Sequence, residues 1–192
     1  MLYNMRLVIL ITLFVGLIFG GIALLRFGAR SLFPEVIQEI ENPLYEAPPV
    51  VQEGLKAPSF ALKNAQGEVV KSEDFLGRPL VLVFWTTWNT YAADELIILD
   101  AYLASNPAPP FALLAINSQE DRGAVANFIQ RSGITLPVLL DETGQVGEQY
   151  ALRVVPTTYF IDAEGIVRET VVGALSTSVF EQKASALGGE GL

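Results

Sequence analysis

One stretch constrains the fold of this 192-residue chain more than any other. Residues 80–85 read LVLVFW, a continuous apolar run that is typical of a strand buried on both faces of a parallel sheet. After a short turn comes Asn89, whose amide can cap a helix, and the pattern from Thr90 to about Leu103 predicts that helix. A buried strand that leads through a tight turn into a capped helix predicts an α/β domain. We call residues 86–92 the junction.

Further signals on both sides of the junction extend this domain. Apolar runs bounded by turn residues predict strands, and amphipathic patterns that begin at polar caps or end at glycine predict helices. Antiparallel hairpins at both ends, with helices between apolar strands in the middle, indicate a mixed sheet. The predicted elements are a hairpin within residues 60–70, a capped turn at 72–74, strands at 111–116 and 137–140, a hairpin within 157–172, and helices at 121–131, 144–152 and 176–187.

The N-terminal part of the chain predicts a membrane anchor. An uncharged apolar run begins at Leu7 and ends at Leu25, between Arg6 and Arg26. About 20 apolar residues are enough for a helix to cross the hydrocarbon core of a bilayer. A cleavable signal peptide is the alternative, but its apolar region would be unusually long. We therefore expect a retained single-pass helix in contact with membrane lipid.

The segment that follows the apolar run connects it to the globular domain. Residues 33–41 predict a short amphipathic helix, which could rest on lipid, on its own domain or on a neighbouring membrane subunit. Four prolines between residues 42 and 58 then predict an extended spacer. The chain divides accordingly into an anchor at 1–26, a juxtamembrane helix and proline-rich linker at 27–53, and a folded domain at 54–192.

Composition excludes several classes of function. The chain has no cysteine and no histidine, which excludes disulfides, thiol chemistry, zinc sites with sulfur or imidazole ligands, and nucleophiles activated by histidine. Its net charge is −9 and no basic stripe is present, so a nucleic-acid partner is not expected. Glycine-rich phosphate loops are also missing. The sequence therefore predicts neither a metal nor a cofactor.

Three motifs of the domain carry a resemblance to a known family. Residues 74–88, DFLGRPLVLVFWTTW, resemble the approach to the active site in membrane-anchored thioredoxin-like proteins of the TlpA/ResA type. Residues 136–141, LPVLLD, and 155–162, VPTTYFID, continue the resemblance, and the second matches a signature whose proline is cis. The resemblance covers the chain from about residue 54 and implies a thioredoxin-like fold. It also implies that the domain lies on the extracytoplasmic side of the cell membrane.

The chain departs from this family at the reactive positions. Asn89 and Ala92 stand where the family has its two cysteines. Thiol–disulfide exchange needs one thiolate to attack and a second thiol to resolve the mixed disulfide, and an amide and a methyl group can do neither. Glu95 falls where the family keeps a glutamate that is taken to assist proton movement, and because this chain has no thiol to titrate, we interpret Glu95 as an acid of the first helical turn. Asp94 and Glu95 are adjacent in sequence, so they cannot form a facing acid pair. A redox-inactive protein, not an enzyme, is expected.

The surface of the family's site is retained. In thioredoxin-like proteins this surface holds an extended chain of a partner through the backbone of the residue before the cis proline, beside aromatic side chains. We assign Trp85 to the hydrophobic core, whereas the sequence favours a partner-binding role and a packing role equally for Trp88 and Tyr91. The candidate binding residues are Trp88, Thr90, Tyr91, Val155 and Pro156.

Two roles are consistent with an anchored domain that has lost its thiols. The first is a non-catalytic accessory subunit that binds or stabilises another membrane or extracytoplasmic protein. The second is an extracytoplasmic chaperone or peptide-binding module derived from an oxidoreductase.

Overall fold

The structure is a computed structural model and describes residues 51–187. The predicted anchor between Leu7 and Leu25 and the predicted juxtamembrane helix at 33–41 lie outside the described residues. Within the described part of the chain, no helix combines the length and the apolar character needed to cross a bilayer.

The domain is built on one seven-stranded mixed sheet. The strand order is β2-β1-β5-β4-β3-β6-β7, in which β3, β4 and β5 are parallel and the remaining neighbours pair antiparallel. This confirms the predicted thioredoxin-like α/β class. The strands are β1 (Ala61–Asn64), β2 (Val69–Lys71), β3 (Leu80–Trp85), β4 (Ala112–Ser118), β5 (Val138–Asp141), β6 (Thr157–Ile161) and β7 (Val167–Val172).

Helices cover both faces of this sheet. One core contains residues of α1, α2 and α4, and the other contains residues of α3 and of the chain that precedes β1. A single 3₁₀ turn, Ser72–Phe75, follows β2 where the capped turn was predicted. The helices are α1 (Thr90–Ser105), α2 (Arg122–Ser132), α3 (Gln145–Gln149) and α4 (Thr177–Leu187).

Strand β3 lies at the centre, and all six of its residues are buried, as predicted. Val81, Val83 and Trp85 face the core that contains α1, whereas the alternate residues face the core that contains α3. Because successive side chains of a strand point to opposite faces, a strand between two helical layers needs no polar position. The central place of β3 fixes the position of the junction that follows it.

Two elements differ from their predicted lengths. Strand β4 continues through Asn117 and Ser118, because these polar residues still pair with β5. Helix α3 is shorter than predicted: it spans Gln145–Gln149, and Ala151 adopts a positive φ of 52° soon after it. The end of the strand was not predicted because its last two residues are polar. The end of the helix was not predicted because the residue with the positive φ is an alanine and not a glycine.

Candidate functional site

Asn89 joins the start of helix α1 to the segment before Pro156. Its Oδ1 accepts hydrogen bonds from the backbone amides of Tyr91, at 3.0 Å, and Ala92, at 3.2 Å. Its Nδ2 donates to the carbonyl oxygen of Val155 at 2.8 Å, across 66 positions of the chain. The predicted cap is confirmed, and the same side chain also ties together two distant segments.

Glu120 holds the turn that precedes Asn89. Its carboxylate accepts two hydrogen bonds of 2.6 Å from Thr87, one from the backbone amide and one from the hydroxyl group. A third bond comes from the Asn117 side chain at 2.7 Å. Hydrogen bonds to an ionised acceptor are stronger than those between neutral groups. The turn is therefore fixed by an acid from the loop after β4.

The junction presents aromatic side chains to solvent. Trp88 is 71% exposed and Tyr91 is 73% exposed, and Thr90 between them is exposed as well. Such exposure does not fit the packing alternative for Trp88 and Tyr91. Trp85 is fully buried and its ring centroid lies 5.0 Å from that of Phe128, so its assignment to the core is confirmed.

The Val155–Pro156 peptide bond is cis, as the resemblance implies. The carbonyl oxygen of Val155 accepts the hydrogen bond from Asn89, whereas the N–H of Val155 has no hydrogen-bond partner among residues 51–187. On the other side, the Pro156 carbonyl accepts from Gly173 at 2.9 Å, which connects this segment to the end of β7. The structure thus brings Asn89, Val155 and Pro156 together at one end of the sheet.

The interpretation of Glu95 as an acid of the first helical turn is wrong. Its side chain is only 1% exposed, because Glu95 shares the inward face of α1 with Ala92 and Leu99. The hydroxyl of Thr158 donates to Glu95 Oε1 over a long 3.4 Å, and Oε2 has no partner among the residues that the structure describes. Loss of hydration raises the pKa of Glu95 from 4.5 to about 7, although the backbone of Leu175 and the Thr158 hydroxyl oppose part of this shift.

A groove opens beside the exposed indole of Trp88. It has a volume of about 470 Å³ and runs between the junction and the segment that follows α3. We call it the Trp88 groove. Its lining residues are Thr86, Trp88, Asn89, Ser118, Gln119, Gly144, Gly147, Glu148, Leu152, Arg153, Val154 and Val155.

The assembled residues offer contacts but no reactive nucleophile. Ala92 is fully buried and contributes only a methyl group to the position of the second thiol. Asp94 is exposed whereas Glu95 is buried, so the two carboxyl groups do not face each other. Within residues 51–187, no group of three or more acidic, histidine or cysteine side chains is placed to hold a metal ion. What the arrangement supplies is an exposed aromatic surface beside an open backbone N–H.

Sequence reasoning missed Glu120 and Thr158. Glu120 lies 33 positions after Thr87, and Thr158 lies 63 positions after Glu95. Nothing in the local pattern pairs residues at such separations. A weak signal existed for Thr158, because it sits within the VPTTYFID motif, directly after the proline and one threonine.

Comparison with known proteins identifies the domain. Residues 54–170 match the model of the AhpC/TSA family. The thioredoxin-like protein YneN of Bacillus subtilis is 31% identical over 136 residues, which cover 69% of this chain and 79% of the relative. The thiol-disulfide oxidoreductase ResA of the same organism is 30% identical over 140 residues, which cover 73% of this chain and 78% of the relative.

Solved structures agree with this assignment. A Chlorobium tepidum protein assigned to the DsbE type of thiol:disulfide interchange protein aligns with a TM-score of 0.67 and 29% identity, covering 72% of this chain and 99% of the other. A secreted disulfide oxidoreductase of Mycobacterium tuberculosis aligns with a TM-score of 0.60 and 26% identity, covering 67% and 96%. The chain therefore belongs to the AhpC/TSA family, as a thioredoxin-like member whose sequence contains no cysteine.

Proposed function

We propose that this protein is a redox-inactive, membrane-anchored binding protein that serves as an accessory subunit of a membrane protein complex. One observation carries the proposal. Asn89, at the position of a thiol in the resembled family, has an amide that makes three hydrogen bonds across the junction, while Trp88 and Tyr91 are exposed. The binding surface is thus preserved where the chemistry has been lost.

The exposed apolar residues around Pro156 support binding. Val154 is exposed in the segment before it, and the exposed Val172 pairs with Thr157, the residue after it. Like Trp88 and Tyr91, which follow β3, they lie next to strand ends on the same side of the sheet. Exposed apolar clusters mark interaction sites, and aromatic residues contribute most of the binding energy in many interfaces.

The apolar run of residues 7–25 supports the anchored part of the proposal. A retained helix there places the protein in the cell membrane as a single-pass protein, and the family resemblance favours an extracytoplasmic domain. The partner is then another membrane or extracytoplasmic protein. No metal, cofactor or nucleic acid is required by this role.

The accessory-subunit role is tested by what accompanies the full-length protein in mild detergent. We expect one partner protein in a fixed stoichiometric ratio, cross-linked by a photoreactive amino acid placed at Tyr91. The same photoreactive residue at Glu181, which is exposed on α4, serves as the matched control and should give no such cross-link. Recovery of the protein alone and monomeric would contradict the role.

A peptide-binding or chaperone function is the second candidate. It is favoured by the unpartnered N–H of Val155, which leaves a backbone donor open for an added strand, and by the adjacent Trp88 groove. The cross-linking experiment separates the two functions. One stoichiometric product supports a subunit, whereas many unfolded clients support a chaperone.

A further inference from the structure

We propose that the Trp88 groove receives one uncharged side chain that donates hydrogen bonds, such as the amide of glutamine, from an extended segment of a partner protein. This inference rests on the proposed binding function and adds the chemistry of the residue that is recognised. It is carried by the floor of the groove, by the charges around it and by the backbone groups of Val155.

The floor of the groove contains an open hydroxyl group. Ser118 is only 9% exposed, and its Oγ has no hydrogen-bond partner among the described residues. Gly147 lies directly beside it: a Cβ atom at Gly147 would stand 3.5 Å from Ser118 Oγ and 3.3 Å from Leu152 Cδ2. Because Gly147 has no side chain, the hydroxyl can be reached from the groove.

Thr86, which also lines the groove, carries a second hydroxyl group. Thr86 is only 4% exposed, and its Oγ1 also lacks a partner within residues 51–187. A buried hydroxyl without a partner costs free energy, but this oxygen is covered by its neighbours and is not itself open to the groove. The Ser118 hydroxyl is therefore the one of the two that the groove can offer to a ligand, and it favours a polar ligand over an aliphatic one.

The charges near the groove disfavour a charged ligand. The buried carboxylate of Asp141 lies under the floor, with Oδ2 at 3.5 Å from the same Cβ position on Gly147, and it would repel an anion. The carboxylate of Asp141 already accepts hydrogen bonds from the backbone amides of Val146 and Gly147. A cation that lost its hydration to enter the groove would therefore gain little from Asp141 in return. Glu148 and Arg153 at the rim are of opposite sign. An uncharged side chain that donates hydrogen bonds avoids both the repulsion of an anion by Asp141 and the loss of hydration of a cation.

The backbone groups of Val155 indicate an extended ligand. Its carbonyl is occupied by Asn89 whereas its N–H is open, so a bound segment would supply a carbonyl acceptor there. Val155, which carries this N–H, also lines the Trp88 groove. One carbonyl and one side chain of the same extended segment can therefore be recognised together.

The absence of cysteine makes a sensitive test possible. Thr90→Cys, at an exposed position outside the groove, gives the full-length protein a single thiol. Short peptides carry one cysteine and a test residue, Gln, Leu, Lys or Glu, at each position from three before to three after that cysteine. Each peptide is added as its disulfide with mercaptoethanol, so exchange with the protein thiol joins the peptide to the protein and releases mercaptoethanol. Tethering raises the effective concentration, so weak preferences alter the yields of mixed disulfide. We expect a Gln peptide to exceed its Leu, Lys and Glu counterparts by about fivefold, the effect of one neutral hydrogen bond.

Variants in the same background locate the preference. Ser118→Ala should abolish the advantage of Gln, and Gly147→Ala should reduce it by covering the hydroxyl, whereas Ser105→Ala, outside the groove, should leave it unchanged. Equal yields for the four test residues, or a preference for Lys or Glu, would overturn this inference alone. If no peptide exceeds mercaptoethanol in forming the mixed disulfide, peptide binding at this surface fails, and the inference fails with it.

Discussion

At the scale of single residues, Asn89 combines two functions in one side chain. Its oxygen caps the first turn of α1 and its nitrogen holds the carbonyl of Val155. The cap was predictable from sequence because an N-cap depends on residues two or three positions away. The bond to Val155 was not, because it joins segments that only the folded sheet brings together.

Substitutions at Asn89 should separate these two functions. Asn89→Ala removes all three hydrogen bonds and should lower the free energy of unfolding by about 2 kcal/mol. Asn89→Asp keeps the two acceptor bonds of the cap but puts a carboxylate oxygen in place of the amide that donates to the Val155 carbonyl. Its loss, of about 1 kcal/mol or more, therefore reports on that contact alone. Urea denaturation followed by circular dichroism measures both.

The matched control for Asn89 lies at the other end of the same helix. Asn106→Ala removes one exposed side-chain bond to the Tyr102 carbonyl and should cost less than either change at Asn89. If Asn89→Asp is as stable as the unchanged protein, the bond to Val155 contributes nothing to stability, and if the Ala and Asp variants lose the same free energy, the cap contributes nothing.

Glu95 should make stability depend on pH. The folded state raises the pKa of Glu95 to about 7 from 4.5, so between these values the folded protein holds a proton that the unfolded chain has released. Stability should therefore fall as pH rises from about 4.5 to about 7, by a total of about 3 kcal/mol, and then level off.

The variant Glu95→Gln isolates this contribution. It cannot ionise, so the difference in free energy of unfolding between Glu95→Gln and the unchanged protein should grow in favour of Gln from pH 4.5 to pH 8. Glu181→Gln, on the exposed face of α4, is the control and should show no comparable trend. A difference that is independent of pH would mean that the buried carboxyl titrates normally.

At the scale of elements, the passage from β3 to α1 has kept its architecture without its thiols. The strand is buried along its whole length, the turn is bonded to Glu120, and the helix is capped. The strand and the helix were predictable because their signals are continuous in sequence. The support from Glu120 was not, because an acid in a polar loop gives no indication of which distant turn it contacts.

Introducing two thiols, at positions 89 and 92, tests whether this architecture is sufficient for thiol–disulfide exchange. The unchanged chain should not accelerate the reduction of insulin disulfides by dithiothreitol, because it contains no cysteine. Asn89→Cys combined with Ala92→Cys should accelerate it, since a thiolate at a helix N-terminus is stabilised and the second thiol can resolve the mixed disulfide.

The single variant Asn89→Cys is the control for this experiment. It can attack a disulfide but has no resolving thiol of its own, so with insulin and no dithiothreitol it should accumulate as a mixed disulfide, which mass spectrometry detects. An inert double variant with native-like circular dichroism would show that the site has lost more than its cysteines.

At the scale of the whole molecule, the family was recognisable from sequence because three motifs occur in order at the expected spacing. The match of residues 54–170 to the AhpC/TSA family confirms that assignment. The partner was not predictable, because an exposed aromatic surface specifies a kind of contact and not a particular protein. The anchor between Leu7 and Leu25 stays a prediction.

The anchor can be tested on the intact chain. The full-length protein should stay with the membrane after extraction with alkaline carbonate, because about 20 apolar residues in a bilayer are not displaced by loss of charge interactions. A chain that begins at residue 48 should appear in the supernatant with the same far-ultraviolet circular dichroism per folded residue. Release of the full-length protein by carbonate would argue against a spanning helix.

The amide at position 89 also determines how the protein responds to its surroundings. A cysteine pair has two states, and the ratio between them follows the reduction potential of the compartment. The three hydrogen bonds of Asn89 have no oxidised or reduced form. The surface around Val155 therefore has no oxidised and reduced forms of its own, so the proposed binding there would not depend on the redox state of this chain.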